Sequence, residues 1–232
     1  MKTLCINTCF KNAEIYLNGE RSQYVCIDSN CKHSEHVMPT IEKMLETNNI
    51  NPRDIDLFGI CVGPGSFTGI RIGVALVKGL GLNDKKCIQF NSFELLATQY
   101  FINNPEKSRV MVIMDGLSGN VFVGAYSNDL GELIAPQVVD FEGMRNLLKS
   151  GNYDVISGVE DKDKFSLPYV EVEERAYQEI LNIKSAKGEI IPVSDITPIY
   201  LRKSQAEVEL EKKENANKWV SLGRFVGCIW HN

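Results

Sequence analysis

Residues 63–73 read Gly-Pro-Gly-Ser-Phe-Thr-Gly-Ile-Arg-Ile-Gly, set between an apolar run over Ile55–Val62 and a second over Val74–Leu82. The first run has the length and composition of a buried strand; the second reads as a helix. A chain that places Gly69, Gly73 and Gly79 in a helix gives up about 1 kcal/mol at each relative to alanine. Tertiary contacts must therefore offset about 3 kcal/mol. Gly69 and Gly73 are four apart, as are Ala75 and Gly79, so each pair shares a face along which another backbone can come close. The expectation is a groove between positions 69 and 79 that a neighbouring polypeptide fills.

A strand, a glycine loop and a helix N-terminus also make an anion site, because free N–H groups and the helix dipole point at one spot. This segment, however, lacks the Gly-Lys-Ser/Thr ending of a phosphate loop, and its glycines do not follow G-x-G-x-x-G. Helix-mediated docking is favoured over nucleotide binding.

Two halves of the chain open alike. Leu4–Asn7, Ala13–Leu17 and Tyr24–Asp28 form strand-like runs around a turn at Asn18-Gly19; Val110–Asp115, Val121–Tyr126 and Leu133–Val139 repeat them around Asn128–Gly131. The offset is about 108 residues and sets Asn7 opposite Asp115. Helices are expected over His33–Thr47, with Pro39 favouring a start near Val37 or a kink. Others are expected over Phe93–Ile102 behind Asn91 and Ser92, from Asp140 to Lys149, and over Arg175–Lys184. The pattern predicts an α/β protein made by duplication. A first lobe spans 1–106, a reduced second lobe 107–208, and a charged helix with an apolar tail 209–232; the linker is Asn103–Lys107.

A net charge of −5 leaves no basic field, so RNA could not be held mainly by counterion release from this chain. Seven cysteines without a C-x-x-C pair read as reduced residues, and no apolar run approaches about 18 residues, so a cytoplasmic protein is expected. His33 and His36 could share a helix face but lack a third ligand, so no metal is expected. Cys61 reads as a small core residue, and no serine sits in a nucleophile elbow. The segment Trp219–Trp230 is expected to be poorly ordered.

The glycine run, His33-Ser34-Glu35 with Pro39, the Asn51-Pro52 to Ile55 junction, and Thr197-Pro198-Ile199-Tyr200-Leu201-Arg202-Lys203-Ser204-Gln205-Ala206-Glu207 together resemble the bacterial TsaB (YeaZ) family. The resemblance runs from residue 1 to about 213. It implies a two-lobed actin-like, Hsp70-like (ribonuclease H-like) ATPase fold and a place in the machinery that installs threonylcarbamoyl on N6 of adenosine 37 of tRNA. It further implies a non-catalytic subunit that dimerises with TsaD through helices of the first lobes, with the TsaE ATPase binding the assembled pair. Homodimers would use the same surface. This chain's share of the joint would be His33, Val37, Ile41, Met44 and Leu45 from one helix, and Gly65, Ser66, Phe67, Thr68, Gly69, Arg71, Ile72, Gly73, Leu76, Val77 and Leu80 from the other. Contact with tRNA would be indirect, with no tightly bound cofactor and ATP or ADP considered only at the heterodimer joint.

The departures bear on chemistry. Asn7-Thr8 stands where the family commonly has Asp-Thr, so the charge that would face a metal-bound phosphate is missing. In the second hairpin, Asp115 and Gly119 keep the turn, while Leu117 and Asn120 replace an Arg and a Glu. These loops read as degenerate phosphate loops. Two alternatives remain: an autonomous actin-like ATPase or metallopeptidase-like hydrolase, and a homodimeric scaffold outside the tRNA pathway. On this reading Gly73→Arg should leave the chain folded and abolish the heterodimer.

Overall fold

The computed structural model describes residues 1–202, except 31, 83, 84 and 118, together with Glu207. The expected helix beyond 207 and the apolar tail lie outside the described residues. Residues Met1–Leu201 form one compact unit built on two mixed sheets, each forming a lobe. The first sheet contains β1 (Thr3–Asn7), β2 (Ala13–Asn18), β3 (Gln23–Ile27), β4 (Leu57–Cys61) and β5 (Lys86–Phe90) in the order β5-β4-β1-β2-β3. The second repeats that order with β6 (Arg109–Asp115), β7 (Asn120–Ser127), β8 (Glu132–Asp140), β9 (Asp154–Gly158) and β10 (Tyr169–Val170) as β10-β9-β6-β7-β8. In both, the first three strands form an antiparallel meander, and the remaining two run parallel to the first. The duplicated two-lobed α/β class read from the sequence is thus the one found.

Helices α1 (His33–Thr47) and α2 (Phe67–Leu80) pack on the first sheet, α3 (Ser92–Asn103) contacts β6, β7 and β10 of the second sheet, and α4 (Phe141–Ser150) covers β7 and β8. The short α5 (Lys162–Phe165) follows β9. Helix α3 is buried from Ser92 to Phe101, as a helix wedged between layers must be. Its start is fixed by a capping box: Glu94 N donates to Asn91 Oδ1 at 2.8 Å and Asn91 N to Glu94 Oε2 at 2.7 Å. Asp140 caps α4 through Gly143 N at 2.7 Å. Helix α1 spans His33–Thr47, the range expected, and carries Pro39 inside it rather than starting near Val37.

The chain then returns. Helix α6 (Glu174–Ala186) packs on α3 and β5, and β11 (Ile191–Pro192) pairs antiparallel with β5 at the edge of the first sheet. The second sheet therefore draws its strands from residues 109–170, a narrower span than the 107–208 expected for its lobe. Lys184 of α6, 6% exposed, pairs with Glu94 at 2.8 Å and Glu189 at 2.6 Å. Burial opposes its charge, but the two carboxylates prevail and hold its pKa above the ordinary lysine value.

Candidate functional site

The glycine run does permit close approach, but the approaching backbone is the chain's own. Gly69 and Gly73 face the loop after β1: a Cβ on Gly69 would lie 1.8 Å from the Thr8 carbonyl oxygen, and one on Gly73 would lie 2.4 Å from Thr8 Oγ1. Gly65 meets the Cys9 carbonyl in the same way, at 2.2 Å. The contact is fastened by Thr8 Oγ1, which donates to the Gly69 carbonyl at 2.7 Å, and by Ser66 N, which donates to the Cys9 carbonyl at 2.8 Å. The expected groove for a neighbouring chain is therefore corrected at positions 69 and 73. Gly73→Arg would drive a long side chain into Thr8 and Ile60, so the expectation of a folded variant is corrected with it.

The joint residues divide by burial. Val37, Ile41, Met44 and Leu45 of α1, together with Gly69, Gly73 and Val77 of α2, lie inside the lobe's own core. Their side chains are not available to a partner. The amphipathic stripe read on α1 is the face that grips the first sheet, since helices show the same periodicity whichever apolar surface they cover. What α2 shows to solvent is the opposite side: Thr68, Arg71, Ala75 and Gly79 are exposed, and Ile72 and Leu76 are half-exposed. Nothing lies within 4 Å of a Cβ built on Gly79. At the start of this face Phe67 stacks on Tyr200, with centroids 4.2 Å apart, and the Arg71 guanidinium lies 4.5 Å from the Phe67 centroid. Ile199 N donates to the Val62 carbonyl at 2.8 Å and so brings the 197–201 segment against the glycine loop. Gly65, Ser66, Leu80 and His33 border these elements, and a ring nitrogen of His33 bonds the Lys11 carbonyl at 3.1 Å.

The two hairpin loops are closed by internal bonds. Asn7 and Thr8 are fully buried. Asn7 Nδ2 donates to Glu14 Oε2 at 2.8 Å, and Asn7 Oδ1 accepts from Cys9 N at 3.0 Å. Asp115 accepts from Leu117 N at 2.7 Å and is paired with Lys164, while its own N–H donates to Asp161 at 3.0 Å. Gly119 has φ +81°, the left-handed conformation that a side chain resists. A cavity of about 570 Å³ opens beside these loops. Its described lining carries Glu14, Asp28, Glu160, Asp161, Glu171 and Glu173 against Lys11. Burial raises the pKa of Glu14 to about 7 despite its hydrogen bonds with Tyr177, Asn7 and Tyr24, and raises those of Glu160 and Asp161.

The thiols of Cys5 and Cys9 are buried and pushed upward by desolvation, a setting for packing rather than nucleophilic attack. Among the described residues no group of three or more His, Cys, Asp or Glu is placed to hold a metal, and no helix is long and apolar enough to cross a membrane.

The family described as "TsaD: tRNA N6-adenosine threonylcarbamoyltransferase" matches residues 28–210. The chain belongs to this family. Within it, the chain sits with the TsaB (YeaZ) proteins of tRNA threonylcarbamoyladenosine biosynthesis, which are related to TsaD. The TsaB biosynthesis protein of Escherichia coli K12 is 28% identical over 202 residues, covering 79% of this chain and 86% of that one. Its counterpart in Buchnera aphidicola subsp. Acyrthosiphon pisum is 21% identical over 228 residues, covering 98% and 93%. YeaZ from Pseudomonas aeruginosa has the same fold, with a TM-score of 0.70 at 18% identity over 86% of this chain and 99% of that one.

The glycine motif thus pointed to the family, while its geometric purpose was misread: spacing shows that two glycines share a face, not which way the face turns. Sequence reading missed Glu14, Tyr24 and Tyr177. A carboxylate inside the buried strand Ala-Glu-Ile-Tyr-Leu was the available signal.

Proposed function

We propose that this chain is the non-catalytic partner of a TsaD homologue in tRNA threonylcarbamoylation, docking through the outer face of α2. The observation that carries the proposal is the outer face of α2, where Ile72, Ala75, Leu76 and Gly79 are small or apolar, Thr68 and Arg71 lie at one end, and Gly79 is open to close approach. A helix face of small residues lets a second helix pack at short distance, and the polar rim of Thr68 and Arg71 fits the edge of such a contact. Against independent ATP turnover stand the buried, internally bonded Asn7 and Thr8 and the acidic cleft, which repels phosphate. Any nucleotide, the TsaE ATPase and tRNA would belong to the assembled pair.

Light scattering of the chain mixed with a TsaD homologue tests the reading. A one-to-one complex is expected, and Gly79→Arg should leave the isolated chain folded while abolishing that complex. Undiminished complex formation by this variant would remove α2 from the joint, and steady ATP turnover by the purified chain alone would favour the autonomous enzyme.

A further inference from the structure

Glu14 is tied to three elements at one end of the cleft. Its Oε2 accepts from Asn7 Nδ2 at 2.8 Å and from the Tyr177 hydroxyl of α6. Its Oε1 lies 3.1 Å from the Tyr24 hydroxyl of β3, and that hydroxyl lies 3.2 Å from the Val172 carbonyl. Tyr24 has one hydrogen and two acceptors. With Glu14 ionised, one hydrogen would have to be shared between the two acceptors, each bond weakened by the other. One more proton on Oε1 resolves the count: Glu14 donates to Tyr24 Oη, Tyr24 donates to the Val172 carbonyl, and Oε2 keeps both of its donors.

We propose that Glu14 is a neutral carboxylic acid in the folded protein, and that its proton closes a clamp from β2 through Tyr24 to the Val172 carbonyl at the rim of the cleft. Loss of the proton leaves Tyr24 to choose between Glu14 and Val172, so the tie between β3 and the segment leading into α6 becomes proton-sensitive. The titratable groups facing Glu14 are Cys5 from β1, Tyr24 and Cys26 from β3, Tyr177 from α6, and Glu160 from beyond β9. Glu160 adds like charge, which disfavours ionisation, as burial does. The folded pKa lies above the ordinary value of 4.5, at about 7, so the folded state holds a proton that the unfolded chain has released. This contribution to stability is complete below 4.5, falls as pH rises toward about 7, and is gone above it.

Urea unfolding of the full chain across that interval tests the clamp. Glu14→Gln keeps an acceptor for Asn7 and Tyr177 and supplies an N–H for Tyr24. It should therefore be at least as stable as wild type above pH 7, and its stability should lack the one-proton decline seen in wild type. The contribution of Asp161 remains in both proteins and drops out of the difference, and that of Glu160 changes only through its charge coupling to Glu14. Tyr24→Phe removes the proton's acceptor and should also diminish the decline. A Glu14→Gln variant less stable than wild type above pH 7, with a parallel pH profile, would show that Glu14 is ionised; an unchanged decline in Tyr24→Phe would place the proton elsewhere. Should the Gln variant not fold, the carboxyl ¹³C shift of Glu14 in wild type decides: titration toward neutrality is expected, and titration near the free-carboxylate value of about 4 would overturn the clamp.

Discussion

The two faces of α2 carry the same sequence device and use it oppositely. On the inner face, Gly69 and Gly73 admit the loop after β1, with Thr8 Oγ1 bonded to the Gly69 carbonyl at 2.7 Å. On the outer face, Ala75 and Gly79 are equally small and four apart, yet a Cβ on Gly79 would meet nothing. Small residues at helical spacing therefore permit a close approach, whereas what surrounds the helix decides whether one is made. One pair builds the lobe; the other stays open on its surface.

The difference can be broken deliberately. Gly73→Arg should act on folding rather than docking, destabilising the isolated chain by on the order of 3 kcal/mol or more and yielding little soluble protein, as denaturant unfolding or expression yield would record. A well-folded variant would place Gly73 on the surface after all. A smaller loss, about 1 kcal/mol, is expected for Thr8→Val, which removes the hydroxyl donor to Gly69 while keeping its shape; unchanged stability would mean that the loop is held without it. The smallest effect has the opposite sign: Gly79→Ala fills open space and should stabilise the isolated chain by about 0.5 kcal/mol while weakening the complex. Stabilisation of both would argue that nothing approaches position 79.

Most elements were legible because local rules set them. The Asn91–Glu94 capping box, the Asp140 cap and the alternation of apolar runs all act within a few residues, and the hairpin echo at an offset of about 108 predicted the duplication that the two sheets display. The extent of α1 was legible too, but Pro39 left its start open between His33 and Val37, and the helix carries that residue inside. The return of α6 and β11 to the first sheet was missed, since pairing between Cys87 and Ile191 depends on contacts about a hundred residues apart.

By itself the sequence determined the duplicated α/β plan, the family, and the uncharged side chain at Asn7, because each is written in residue identity and short-range spacing. Only the tertiary structure decided which face of α2 is buried and which groups surround the Glu14 carboxyl. Both depend on atoms brought together from distant positions: Thr8 against Gly69, and Tyr24, Val172 and Tyr177 around one carboxyl. Periodicity gives the direction of a side chain around its own helix or strand, but the neighbour it meets is set by how the elements pack.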